Sequence, residues 1–427
     1  MNRTVAPEVK PLKDINMFVP QTMSLNNGIK MTIINAEEQE VIRIDLVFKA
    51  GRWYQEQKLQ ALFTNRMMKE GTQTLSSLDI SSKLDYYGAY LETSTSAEYS
   101  FITVYSLTKH FDKAMSVLES IIKESVFPEK ELDTILTNNI NQFRINSTNV
   151  SFISYRNFLN SIYGNNHPMG IITLEEDYIQ LTSELLRVYY QSKYHSENCA
   201  IFLSGRVTDN EIATVEKHFG SKWGDCSKVV QDRHYNIETS ADKRLFIEKE
   251  DALQSSIRLG YLTISTDSDD FLKLKVLVTL FGGYFGSRLM SNIREDKGYT
   301  YGISASLMDY TDSGLLTIST EADNKYVENV IEEVYKEIDI LQKTKVTEEE
   351  LIKVKNYMLG EFCRGYESAF SIADAHILLY ANKLDKDYFQ KGIEAINTIT
   401  TDEIHQLANK YLSKENMKEC IVGKKSI

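Results

Sequence analysis

VFPEKEL (126–132) and KVTEEEL (345–351) stand 219 residues apart (345 − 126), while GAYLETSTS (88–96) and GYTYGISAS (298–306) stand 210 apart (298 − 88). Two pairs of related segments, in the same order and at nearly the same spacing, are the mark of a duplicated unit, and a unit of this length is a domain. The offsets differ by nine (219 − 210), so the second copy carries an insertion. The stretch LMDYTDSG (307–314) is turn-rich enough to hold it.

The hydrophobic pattern around these segments repeats as well. In the first copy, MSLNNGIKMTII (23–34) places apolar residues on both sides of Asn27-Gly28, a pair that takes positive φ at low cost and predicts a tight hairpin turn. In VIRIDLVFK (41–49), Ile42, Ile44, Leu46 and Phe48 alternate with Arg43, Asp45 and Lys49, as in a strand with one buried face. Leu59, Leu62, Phe63 and Met67 recur at helical spacing and predict a helix over about 58–69. A strand follows near 97–106, then a helix with Ala114, Leu118, Ile121 and Ile122 on one face.

The second copy repeats this order. IRLGYLTI (257–264) reads as a strand, 269–281 as a helix, LLTIST (315–320) as a strand, and Val327, Val330, Val334 and Ile338 as the apolar face of a helix. The expected class is therefore α+β, with two homologous layered domains, each a mainly antiparallel sheet packed with helices, related by an internal repeat. The division it predicts is an N-terminal extension over 1–20, a first domain over 21–222, a polar linker over 223–245 and a second domain over 246–427.

Composition narrows the function classes. The chain has 427 residues, 42% of them hydrophobic and 25% charged, which is globular and long enough for two domains. With 48 Lys and Arg against 60 Asp and Glu, the net charge of −12 argues against nucleic acid or anionic lipid as a partner. There is no apolar run of membrane-spanning length, and 1–20 lacks the apolar stretch of a secretory signal, so the expectation is a cytoplasmic protein without a membrane partner. Cys199, Cys226, Cys363 and Cys420 form no C-x-x-C and read as reduced thiols, mostly small core residues.

Taken in order, NGIKMTI, KAGRWYQE, KEGT and YGAYLETSTSAEYSFI resemble the landmarks of the insulinase/pitrilysin-like zinc peptidases, which include the mitochondrial processing peptidase and its bacterial relatives. NNHPMGI (165–171), YHSENCAIFLSGRV (194–207), LQSSIRLGY (253–261) and FGGYFGSRLMSNIREDKGYTYGISASL (281–307) continue the series, and the resemblance spans roughly 20–427. It implies the processing-peptidase-like metalloenzyme fold.

That family works through H-x-x-E-H, in which residues i, i+3 and i+4 share a helical face: two imidazoles hold Zn²⁺ and the glutamate takes a proton from the bound water. Register from Gly71-Thr72 places Leu62, Asn65 and Arg66 where the family has His, Glu and His, and Gln142 where it has its last ligand, a glutamate. Leucine has no lone pair, neither amide is a base or an anion, and a guanidinium repels a cation. His110, His167, His195, His218, His234, His376 and His405 include no pair three to five residues apart, so the sequence predicts no zinc in this chain. His167, a loop histidine before Pro168, reads as structural, and Gly282-Gly283 with Gly286-Ser287-Arg288 reads as a helix-ending turn, since it lacks a phosphate-loop pattern.

In relatives that act as pairs of similar chains, one chain carries the zinc helix and the other closes the chamber with an Arg and a Tyr separated by six residues after a Ser-Arg-Leu helix. Arg294 and Tyr301 match that spacing. The resemblance implies that Arg294 binds a substrate backbone carbonyl and that the Tyr301 hydroxyl donates to the oxyanion of the tetrahedral intermediate. The expectation is a non-catalytic subunit, inactive alone, that binds extended peptide for a zinc-bearing homologous partner. The alternative is a homodimeric scaffold that keeps the fold without proteolysis.

Overall fold

A computed structural model describes residues 18–36, 40–310 and 313–425. Eleven strands form two sheets among these residues. The first contains β1 (Gln21–Ser24), β2 (Lys30–Asn35), β3 (Val41–Phe48), β4 (Tyr90–Thr95), β5 (Ser100–Leu107) and β6 (Cys199–Gly205), in the order β1-β2-β6-β3-β5-β4. The second contains β7 (Arg244–Glu248), β8 (Gln254–Thr263), β9 (Thr300–Tyr310), β10 (Ser313–Asp323) and β11 (Lys418–Gly423), in the order β7-β11-β8-β10-β9. Strand for strand, the second order repeats β2-β6-β3-β5-β4. Even the exception is repeated: β2 runs parallel to β6 and β7 parallel to β11, whereas the other pairs are antiparallel.

The repeat holds at single residues. Gly88 and Gly298, at φ 62° and 67°, each stand two residues before their strand, in a left-handed conformation that a side chain would strain. Glu131 and Glu350 are each the third residue of equivalent helices, Glu129–Asn146 and Glu348–Arg364, where a carboxylate favours the helix N-terminus.

The nine extra residues are not gathered in one turn at 307–314. From Tyr90 to Leu107 the chain advances 17 residues (107 − 90) and from Thr300 to Asp323 it advances 23 (323 − 300), so the hairpin is six longer. The next helix, Phe111–Glu124, has 14 residues and its counterpart Val327–Lys343 has 17, which supplies the other three. Leu307 and Met308 pair with Leu316 and Leu315 in the lengthened ladder, while Thr311 and Asp312 lie outside the described residues. Gly314 serves close approach of backbones: a Cβ there would meet the Ile264 carbonyl oxygen at 1.8 Å. Cross-strand pairing along β10 outweighs the turn propensity of Asp, Ser and Gly.

The first hairpin also differs in detail. Gly28 has the expected positive φ, 93°, but β1 and β2 close on the Ser24–Lys30 pair, leaving 25–29 as the loop. Asn27 explains the longer loop. Its side-chain amide donates to the carbonyls of Phe219 and Ser221, both at 2.8 Å, which hooks the loop onto the end of helix Asp209–Phe219.

Each sheet buries one face beneath its own helices, Ile44, Leu46 and Phe48 against Leu118, Ile121 and Ile122 in one half, Ile257 and Leu259 against Val330, Val334 and Ile338 in the other. The opposite faces are covered by exchange. Helix Val150–Tyr163 of the first copy packs on β8 and β11, and its counterpart Ala369–Ala381 packs on β2 and β6. Gly260 makes the first docking possible, since a Cβ there would lie 2.8 Å from Phe158 Cζ. Phe158, Ile162 and Tyr163 form a shared core with Trp53, Leu315 and Val422. On the other side, Ile377 packs on Val47, Ala200 and Phe202.

The connection over 220–243 contains no helix or strand and is tied down by both halves. Trp53 Nε1 donates to the Arg233 carbonyl at 2.8 Å, and the Tyr235 hydroxyl donates to the Trp53 carbonyl at 2.7 Å. Among the described residues no helix is long and apolar enough to cross a membrane.

Candidate functional site

Helix Gln60–Met67 begins after Leu59, which takes a left-handed φ of 69°, and turns its residues between β4–β5 and helix Ser183–Lys193. Leu62 is half-buried against the first core. Asn65 is fully buried, and its amide nitrogen donates to the Ser94 carbonyl at 2.7 Å, the Phe101 carbonyl at 3.2 Å and Thr95 Oγ1 at 3.3 Å. It therefore staples the helix to the hairpin instead of presenting a base. Arg66 lies over the Phe63 ring at 5.8 Å and donates through Nη1 to Asn139 Oδ1 at 2.7 Å.

Asn139 lies on helix Glu129–Asn146, three residues before Gln142, so this bond ties the two helices together near the expected positions. Gln142 is exposed and donates to Asn146 Oδ1 at 3.0 Å. These four residues do not fit a zinc ion. The Asn65 amide is spent as a donor, and the cation beside it is the guanidinium itself. Among the described residues no group of three or more His, Cys, Asp or Glu is placed to hold a metal ion.

The second pair comes together on the other half. Arg294 sits on the wide-turn helix Met290–Asp296, and Tyr301 is the second residue of β9, an edge strand of the second sheet. Gly298 reverses the chain between them with its positive φ. The Arg294 guanidinium carbon lies 4.5 Å from the Phe285 ring centroid and 5.7 Å from that of Tyr301, so the cation is stacked by two rings. Tyr301 is 91% exposed and therefore free to meet a ligand.

Beside Tyr301 opens a cavity of about 440 Å³, lined also by Ser151, Ser256, Arg258, Thr320 and Glu321. Ser151 belongs to the exchanged helix of the first copy, so this cavity lies between the halves. Phe285 and Arg258 were not among the residues singled out from the sequence. Arg258 had a signal, as a charged residue in the strand pattern IRLGYLTI, but the stack on Phe285 depends on how the helix turns before β9.

His167 is fully buried, stacked on Tyr163 and edge-on to Trp53, and its Nδ1 accepts from the Met169 N–H at 3.1 Å. It is a packing residue of the shared core. Gly282 and Gly283 end the wide turn Thr279–Gly283, where a Cβ on Gly282 would lie 2.6 Å from Ala305 Cβ; the glycine lets this turn approach β9.

Two family models match the chain: "Insulinase (Peptidase family M16)" over 30–172 and "Peptidase M16 inactive domain" over 180–358. Among similar proteins, an uncharacterized zinc protease of Rickettsia felis is 25% identical, covering 91% of this chain and 94% of its own length. One of Bacillus subtilis is 24% identical, covering 91% and 95%. Among solved structures, a peptidase M16 inactive domain from Pseudomonas fluorescens aligns with a TM-score of 0.84 at 21% identity, over 96% of this chain and 99% of that one. A protease from Helicobacter pylori aligns with a TM-score of 0.86 at 17% identity, over 95% and 99%.

Proposed function

This chain is a member of the insulinase-like peptidase family, and from that premise we propose that it is the non-catalytic subunit of a two-chain zinc peptidase, closing the chamber and holding extended peptide for a homologous zinc-bearing partner. The observation that carries the reading is the contrast between its halves. Leu62, Asn65, Arg66 and Gln142 offer neither a metal cage nor a base, while Arg294 and Tyr301 stand together at an open edge.

In this role the outer edge of β9, which pairs with β10 alone among the described strands, offers backbone N–H and C=O groups to an extended substrate. Arg294, pre-oriented by Phe285, donates to a substrate carbonyl, and the Tyr301 hydroxyl donates to the negative charge that develops on the scissile carbonyl oxygen. The partner supplies the zinc-activated water. The cytoplasm is the compartment we propose, in keeping with four unpaired cysteines.

The test is co-expression with a similar chain that retains H-x-x-E-H. The expected result is co-purification in equal amounts and cleavage of unstructured peptides by the mixture, with neither chain active alone. A zinc chain that is equally active without this one refutes the proposal, and self-association without any partner effect favours the homodimeric scaffold.

A further inference from the structure

The arginines divide into two groups. Among the thirteen in the described residues, eight contact a carboxylate: Arg43, Arg144, Arg187, Arg206, Arg233, Arg244, Arg288 and Arg364. Arg52, Arg66, Arg156, Arg258 and Arg294 do not. In a chain of net charge −12, a guanidinium without a carboxylate needs a reason.

Four of these five follow one another by way of aromatic rings, the helix Val150–Tyr163 and the cavity beside Tyr301. Arg66 and Arg156 both lie within electrostatic reach of Tyr178, which meets Phe63 and Phe143 ring to ring. Arg156 sits over Phe143 and Phe152, at 5.3 and 5.0 Å. Beside Arg156 on the same helix, Tyr155 carries Arg258 at 5.0 Å, Arg258 and Tyr301 line one cavity, and Arg294 lies 5.7 Å from the Tyr301 ring. The fifth, Arg52, lies within electrostatic reach of Tyr310, as does Tyr155.

Arg258 is half-buried, and its side-chain bonds are to neutral hydroxyls, Ser154 Oγ at 3.2 Å and Ser151 Oγ at 3.3 Å. Glu321 on the same cavity biases it through space without bonding, as Asp177 does Arg156. Burial therefore pulls the Arg258 and Arg156 guanidiniums down from their ordinary value, whereas Glu350 holds Arg288 above it in spite of burial. A cation in that condition gains most from an incoming carboxylate.

We infer that the cavity beside Tyr301, with the arginine strip leading from it to Arg66, is a docking site for carboxylates, so that the peptides this chain takes are acidic extended segments. The inference rests on its reading as a peptide-holding subunit. Carboxylate side chains would pair with Arg258 and Arg156, and the neighbouring rings would take the apolar parts of the peptide. The net charge of −12 would disfavour such peptides elsewhere on the chain, which concentrates binding on the strip.

The test is fluorescence anisotropy of the full chain with matched unstructured peptides that carry glutamates, lysines or serines at the same positions. The acidic peptide should bind about tenfold more tightly than the serine one, as one good charge-assisted pair provides, and added salt should erase the difference. Arg258→Gln with Arg156→Gln should remove that preference, so that the variant binds the acidic peptide no more tightly than the serine one, and Arg258→Lys with Arg156→Lys should keep most of it. Equal binding of acidic and basic peptides overturns the inference, as does an acidic preference that survives the glutamine pair. If the preference is absent yet the two-chain mixture cleaves peptides, only the docking site is refuted. If the preference is present and no mixture is active, the assisting-subunit reading falls and the docking site stands.

Discussion

Arg66 donates to Asn139 across 2.7 Å, so a guanidinium and an amide join the two helices that zinc joins in relatives with an intact motif. Purified chain should accordingly carry no stoichiometric zinc by elemental analysis and should leave unstructured peptides uncut. About one tightly bound zinc per chain would contradict this.

Tyr301→Phe, assayed in the two-chain mixture, should lower kcat by about 10²–10³, the loss expected for one oxyanion donor. Arg294→Ala should raise KM instead, because the guanidinium holds substrate before and during reaction. Neither should impair assembly, since Tyr301 is exposed and Arg294 contacts Phe285 and Tyr301 at the surface. Parental kinetics in both variants would remove the pair from the mechanism.

The docking of helix Ala369–Ala381 on the first sheet depends on Arg43, which donates to Asp45 Oδ1 through Nε at 3.0 Å and Nη2 at 2.8 Å and reaches Asp374 at 2.6 Å. Asp45 is only 1% exposed. Arg43→Met should cost about 3–5 kcal/mol by leaving that carboxylate buried without its cation, and adding Asp45→Leu should recover much of the loss. Urea unfolding of the two variants is the check, and a double variant no more stable than the single one would count against this account.

Gly260→Ala should destabilise the reciprocal docking, because the new methyl meets the Leu316 carbonyl oxygen at 2.2 Å and Phe158 Cζ at 2.8 Å. The backbone contact cannot relax by a rotamer change, so a loss at the upper end of the usual overpacking range, about 3 kcal/mol, is expected. Trimming the partner with Phe158→Leu should not rescue it, which denaturation midpoints of the single and double variants would show.

Acid should loosen the contact between helices Phe111–Glu124 and Asp209–Phe219. Hydrogen bonds from Lys217 and then His218 hold the Asp112 carboxyl below the usual carboxylate range; Glu119 is also held low, by Lys123 and His218 against the upward push of burial. A carboxyl lowered in the folded state contributes stability that is complete above its ordinary value, 3.8 for Asp112, and lost as pH falls through the folded one. Asp112→Asn should thus lower the stability at neutral pH by no more than about 1 kcal/mol given solvent screening, read as a lower melting temperature, and the difference should vanish in strong acid. A difference independent of pH would rule out this origin.

The duplication, the order of strands and helices, and the residue types at 62, 65, 66 and 142 were legible in the sequence because each rests on the chain itself. Offsets of 210 and 219, the alternation in 41–49, and the identities of Leu62, Asn65, Arg66 and Gln142 survive any detail of packing. Tertiary structure alone decided how the nine extra residues divide between hairpin and helix, since that depends on how far β10 extends its ladder. It also decided that helices 150–163 and 369–381 exchange sheets, because their apolar faces fit either half equally well as patterns and only Gly260, Phe158 and the Arg43 cluster choose. The arginine strip was invisible for the same reason. Whether a guanidinium finds a carboxylate is fixed by contacts between residues as distant in sequence as Arg288 and Glu350, or is left open, as for Tyr155 and Arg258, by the rings that surround it.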